Sequence, residues 1–202
     1  MSIASFNEIT EISEKRVSDS PLGKMSEGKT FEKPMSDYDK PLGIVIENFR
    51  NCPIEGNNGH WDGERGDSKW IPDQNYVPAE VKGRTRSNPD GLTMGELLDK
   101  YDIDGGIVYK DGEPDFHDVS KGTVEIEPFS TERTDNFDRA DIALAQQKGC
   151  TPEEVAQWRK DNNYTWHECR DMRTMQKVPN EIHANFPHSG GIAEAKKGQG
   201  EL

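Results

Sequence analysis

Apolar side chains are thinly spread over the first forty positions, where SDSPLGKMSEGKTFEKPMSDYDKP sets single hydrophobes among Ser, Glu, Lys and Pro. Such a stretch buries too little apolar surface to offset its ordering entropy, so residues 1–40 are expected to be a flexible leader or linker. LGIVIENF is then a short apolar run with strand character. In the following NCPIEGNNGHWDGERGDSKWIPDQNYVP, Gly, Asn, Asp and Pro argue against regular structure while Trp61, Trp70 and Tyr76 ask for burial. Residues 41–90 are accordingly expected to form a loop-rich segment held by aromatic anchors.

From Leu92 the punctuation is sharper. Thr93 with Glu96 three residues on has the form of a capping box before MGELLDKYD, and Gly105-Gly106 stop that helix. GIVYKDGEPDF reads as strand and turn. TVEIEPF alternates Val124, Ile126 and Pro128 against Glu125 and Glu127, as a half-buried strand does. NFDRADIALAQQK carries Phe137, Ala140, Ile142 or Ala143, and Leu144 at helical spacing, with Gly149 ending the run. Thr151-Pro152-Glu153-Glu154 combines an N-cap, a first-position proline and first-turn acids, and predicts a helix to about Asn162.

The closing pattern is strand, polar turn, strand, helix. YTWH has strand-forming residues leading into His167-Glu168, CRDMR is the turn, TMQKV the second strand, and Pro179-Asn180 open a helix presenting His183. His188 follows five residues later, just before Ser189-Gly190-Gly191 end the helix, which is thus expected to carry both histidines. Three of the five histidines of the chain fall in this short segment. Neutral imidazoles are good ligands for divalent transition metals, and an imidazole beside the ion can take a proton from water near neutral pH. The outline is that of a ββα-metal finger spanning about residues 164–191, and the fold class expected is α+β, a loop-rich domain ending in that finger, with residues 91–202 as the part that carries it.

Composition narrows the setting. Of 202 residues 31% are apolar and 31% charged, with mean hydropathy −0.95. No run approaches the ~20 apolar residues of a membrane span, and MSIASFNEITEISEKR lacks a basic region followed by an apolar one. A protein made in the cytoplasm, without a cleavable signal, is expected. Cys52, Cys150 and Cys169 are odd in number and show no CxxC spacing, which argues against a disulfide framework or a cysteine zinc site. The formal charge of −13 argues at first against a nucleic-acid partner. It is uneven, however: residues 91–149 hold 14 acidic side chains against 6 basic, residues 150–202 only 8 against 7.

The residues WHE…D…MQ-x-VP…H…H-x-GG, from Trp166 to Gly191, resemble the HNH/endonuclease VII superfamily, in the branch of polymorphic-toxin nucleases marked by WHH or WHE motifs and akin to colicin-type DNase domains. GELLDKYDIDGGIVYKDGEPDF…VEIEPF…R…NFDRAD is more weakly similar to the region preceding the finger in such toxins. The resemblance implies metal-assisted phosphodiester hydrolysis, DNA rather than RNA as the preferred substrate, one divalent ion (Zn, Mg, Mn or Ni), delivery into target cells and a cognate immunity protein. His183, His188 and His167 are the implied metal ligands, with His167 or Glu168 catalytic. The colicin-type pattern begins its finger with two histidines, a ligand and then a base; here the pair is His167-Glu168. In one register His167 is the ligand and Glu168 the base; in the other Trp166 falls at the ligand position and His167 is the base. Imidazole, with an unperturbed pKa of about 6.5, suits a neutral-pH base better than a carboxylate at about 4.3.

Blander readings stand beside this one. His60 and His117 are expected to be structural, Trp166 to be core packing behind the site, and Asp171 either to fix the turn or to orient an imidazole. Glu125 and Glu127 lack the following lysine of a PD-(D/E)xK site. Lys196, Lys197, Arg170 and Arg173 are candidate phosphate contacts or plain solvated cations, and Cys169 a possible soft ligand. A non-enzymatic zinc-stabilised interaction module is the alternative function, and a metal-free scaffold or inhibitor a third.

Overall fold

The computed structural model describes residues 49–80, 87–198 and 200. The expected leader and all but Phe49 of LGIVIENF lie outside the described residues.

The described residues are α+β, with two small antiparallel sheets among them. β1 (Gly59–Trp61), β2 (Lys69–Pro72), β3 (Ile107–Lys110) and β4 (Glu113–Pro114) form the first, in that order. β1 and β2 correct the expectation that residues 51–78 lack regular structure. Trp61 pairs with Trp70 across the ladder, their rings 5.2 Å apart, and that cross-strand contact outweighs the poor local propensity of the surrounding Gly and Asp. Helix α1 (Met94–Lys100) opens with the Thr93–Glu96 capping box in both directions.

The second sheet has the order β5 (Thr123–Glu125), β7 (Thr174–Pro179), β6 (Tyr164–Glu168). Val124 and Ile126 are buried as the alternation predicts, but Pro128 is exposed. Helix α2 (Arg133–Lys148) starts three residues earlier than its apolar pattern, because Asn136 clasps the preceding turn: its side chain accepts from Ser130 N–H and donates to Ser130 C=O. Ile142 is exposed; the buried stripe is Asn136, Ala140, Asp141, Leu144 and Ala145, and left-handed Gly149 ends the helix. Helix α3 (Pro152–Asp161) has the expected Thr151 cap and proline start. Helix α4 (Asn180–Asn185) follows β7 directly but stops at Phe186, whose backbone is non-helical just before Pro187, so His188 lies beyond the helix that was expected to carry it; α5 (Gly191–Gly198) comes last. No described helix is long and apolar enough to cross a membrane.

Strand alternation makes the second sheet serve two cores. On one face Val124, Trp166 and Met175 pack with Ala140 and Leu144 of α2 and Val155 of α3. Val178, on the other face, and Ile182 and Phe186 beyond it join Trp61, Trp70, Leu97, Tyr109 and Phe116. The β6–β7–α4 segment therefore sits at the seam between the cores.

Candidate functional site

Period-two alternation sends neighbouring residues of β6 to opposite faces. Trp166 faces α2, where its indole Nε1 donates to Asp141 Oδ1 at 2.8 Å, and Asp141 is also paired with Arg159 of α3. This is the packing role expected of Trp166, with a polar anchor added. His167 faces the other way, onto Phe116, and is 1% exposed.

Three elements bring the imidazoles together. His167 lies near the end of β6, His183 on α4, and His188 in the segment after Phe186; one ring nitrogen from each lies within 4.8 Å of the others. Phe116, fully buried, is a common wall, its ring 5.1 Å from His167 and 5.8 Å from both His183 and His188. His188 Nδ1 is 2.8 Å from the Phe186 carbonyl, which can only accept, so the proton sits on Nδ1 and Nε2 presents a lone pair. That Nε2 is 3.2 Å from His167 Nδ1. Two nitrogens on one tetrahedral zinc-sized ion stand roughly 3.3 Å apart, so the donor set fits such an ion without rearrangement of this pair. Burial, reinforced by the neighbouring His167, pushes the His188 imidazole down to about 3, which keeps it in the neutral form a metal requires.

Glu168, on the face opposite His167, is held from α2: Arg133 Nε donates to Oε2 at 3.0 Å and Asn136 Nδ2 to Oε1 at 2.9 Å. Burial raises its pKa, while Asn136 and the Arg133 charge pull it back. His167, Glu168, His183, His188, Arg133 and Lys196 all line one cavity of about 740 Å³. Asn51 reaches the same cavity and donates to Ser189 Oγ at 2.8 Å, tying the loop that carries His188. Gly191 is required beneath it, since a Cβ there would meet the Cys169 carbonyl at 2.5 Å.

The remaining candidates fall elsewhere. Asp171 caps the β6–β7 turn, accepting from the N–H groups of Arg173 and Thr174 and from the Thr174 hydroxyl, which is its structural reading. Arg173 pairs with Glu125, Arg170 bonds the Asp111 carbonyl and pairs with Glu194, and Lys197 pairs with Glu194. Cys169 comes together with Glu113 and His167 as a second group of possible ligands, but burial, then the nearby carboxylates, push its thiol far above the ordinary range and keep it protonated. His60 and His117 belong to neither group. Sequence reasoning missed Asn51, Glu113, Phe116, Arg133 and Asn136. Only Asn136 had a usable signal, a polar residue four before Ala140 in the buried stripe of α2.

No curated protein matches the chain. Residues 106–190, from the glycine before β3 to the glycine before α5, match the family model for the DNase/tRNase domain of colicin-like bacteriocin, and over that segment the chain is similar to a colicin-DNase-like nuclease domain.

Proposed function

We propose that this chain is a metal-dependent endonuclease of the HNH type that hydrolyses phosphodiester bonds, DNA in preference to RNA, and that it serves as the DNase toxin domain of an interbacterial effector. The match over residues 106–190 supports a nuclease, and so a hydrolase acting on nucleic acid. The single observation that carries the metal is the 3.2 Å approach of His188 Nε2, a lone-pair donor, to His167 Nδ1 beside His183. His167, His183 and His188 would hold one divalent ion; its identity among Zn, Mg, Mn and Ni is open, with all-imidazole donors favouring a transition metal over Mg. The register in which His167 is a ligand is supported by the same contact.

When bound, the ion supplies Lewis-acid stabilisation of charge growing on the scissile phosphate and its leaving oxygen. Glu168 lines the same cavity, and its desolvated, raised pKa suits a carboxylate that takes the proton shed by attacking water. Arg133 holds Glu168 and, with a largely exposed guanidinium, can turn its free N–H groups to a phosphate oxygen. Lys196 adds a second cation on the cavity rim. The size of the cavity favours an enzyme over a zinc-stabilised interaction module, because it leaves room for water and phosphate at the ion. The acidic surface is assigned to a basic partner such as an immunity protein.

Two variants test the assignment. His183→Ala is expected to lose bound metal on dialysis. Glu168→Gln is expected to keep it while cleavage falls about 100- to 10,000-fold, since an amide cannot accept the proton. Full metal content in His183→Ala would remove the site, and undiminished cleavage by Glu168→Gln would return the base to His167.

A further inference from the structure

His167 has two ring nitrogens, and the proposed site uses only one. Nδ1 faces His188. Nε2 is buried without a hydrogen bond of good geometry, and Glu113 Oε1 stands 3.4 Å away, within ion-pair distance. Glu113 comes from β4, more than fifty residues upstream, and does not hang there freely. Its Oε1 accepts the Arg170 backbone N–H at 2.8 Å, and the Arg170 guanidinium reaches back to the Asp111 carbonyl on the same hairpin. The β3–β4 hairpin thus clasps the turn after β6 and delivers one carboxylate to the hidden edge of His167.

We propose that Glu113 is a positioning residue that holds the proton of His167 on Nε2 and so leaves Nδ1 bare toward His183 and His188. This deepens the proposed function and rests on its metal site. A neutral imidazole carries one proton; a carboxylate can only accept, and attracts it to the facing nitrogen. With Nε2–H toward Glu113, the bare Nδ1 meets the lone pair of His188 Nε2 at 3.2 Å, an arrangement that repels unless a cation lies between them. Without Glu113 the proton can move to Nδ1 and make a hydrogen bond to His188 Nε2, and the site is then satisfied without an ion. Glu113 therefore tunes the site by removing its metal-free resting state. Carboxylates bonded to the far nitrogen of a ligating histidine typically matter 10- to 100-fold in metal affinity.

The test uses the full chain with ¹⁵N-labelled histidine, as parent, Glu113→Gln and Glu113→Ala. Long-range ¹H–¹⁵N correlation on metal-free protein reads the His167 tautomer, and competition against a chromophoric chelator reads the affinity for Zn²⁺ alone. Parent is expected as the Nε2–H form, and Glu113→Ala as the Nδ1–H form with Zn²⁺ affinity down by about 100-fold. Glu113→Gln keeps the acceptor for Arg170 and is expected to hold parent-like thermal stability with affinity down about tenfold. An Nδ1–H parent, or Glu113→Ala binding Zn²⁺ within twofold of parent, would overturn the proposal. Uptake of a second Zn²⁺ that Cys169→Ser abolishes would overturn it too, because Nε2 would then be a ligand. A parent that shows the Nε2–H form but takes up no ion would support the Glu113 contact while removing the metal site itself.

Discussion

His188 shows how a single environment prepares a ligand. Its neutral form is enforced by burial and by His167, and its Nδ1 proton is fixed by the Phe186 carbonyl. The cost appears in the pH dependence of folding. In the unfolded chain a histidine takes up a proton below about 6.5, whereas in the folded protein His188 resists it down to about 3. Between those values the unfolded state binds more protons, so this group withdraws stability as pH falls and restores it as pH rises. Denaturant melts of metal-free protein across that window are expected to show an extra slope of up to about 1.4 kcal/mol per pH unit that His188→Asn lacks. Equal slopes in both proteins would mean that the imidazole is not held neutral. Glu168 makes the complementary point, since a buried carboxylate is retained here only with Arg133 and Asn136 bonded to it.

Among the elements, α2 does the most to define the site, because it supports both Trp166 and Glu168 of β6 from polar positions in a buried stripe. Asp141 accepts from Arg159 and from the Trp166 indole, binding α2, α3 and β6 at one carboxylate. Asp141→Ala strands a guanidinium that is about nine-tenths buried, and is expected to cost about 3–5 kcal/mol in chemical denaturation. Exposed Asp138→Ala on the same helix is expected to stay within about 0.5 kcal/mol. A loss below 1 kcal/mol for Asp141→Ala would show that the network is not a structural joint. The finger itself was legible from the sequence, since YTWHE and TMQKVP are rich in strand formers and Pro179-Asn180 mark the change of period; β6, β7 and the start of α4 fall where they were expected, but the helix ends at Asn185 and leaves His188 beyond it. The capped helices α1 and α3 were legible for the same local reasons. β1 and β2 were not, because three- and four-residue strands among Gly, Asp and Pro are stabilised by the Trp61–Trp70 pairing, a contact no local pattern announces. Glu113 and Arg133 were missed because each acts on the finger across more than thirty residues of chain, and a lone polar residue on a hairpin or helix reads as a solvated one.

At the scale of the whole molecule, the segment similar to colicin-type nucleases contains one of the two cores entire, around Trp166 and Leu144, but only part of the other. Val178, Ile182 and Phe186 of the finger pack in the same cluster as Trp61, Trp70, Leu97 and Leu98, all upstream of residue 106. Residues 106–190 expressed alone are therefore expected to melt well below the full chain, because α4 would expose the apolar face that orients His183. A melt at the temperature of the full chain would show that the upstream sheet is dispensable. Acidic residues crowd positions 91–149 and only Arg133 and Lys196 among the described cavity-lining residues are basic, so nucleic acid bound there would gain few phosphate contacts and its affinity is expected to fall only shallowly with salt. The most direct measurement is cleavage of supercoiled plasmid by the full chain before and after removal of metal by chelation, with divalent ion then restored. Nicked and linear DNA is expected from the loaded protein, none after chelation, and recovery on adding back the ion for the parent but not for His183→Ala. Cleavage that persists unchanged in the chelated protein and in His183→Ala would contradict metal-dependent cleavage at this site.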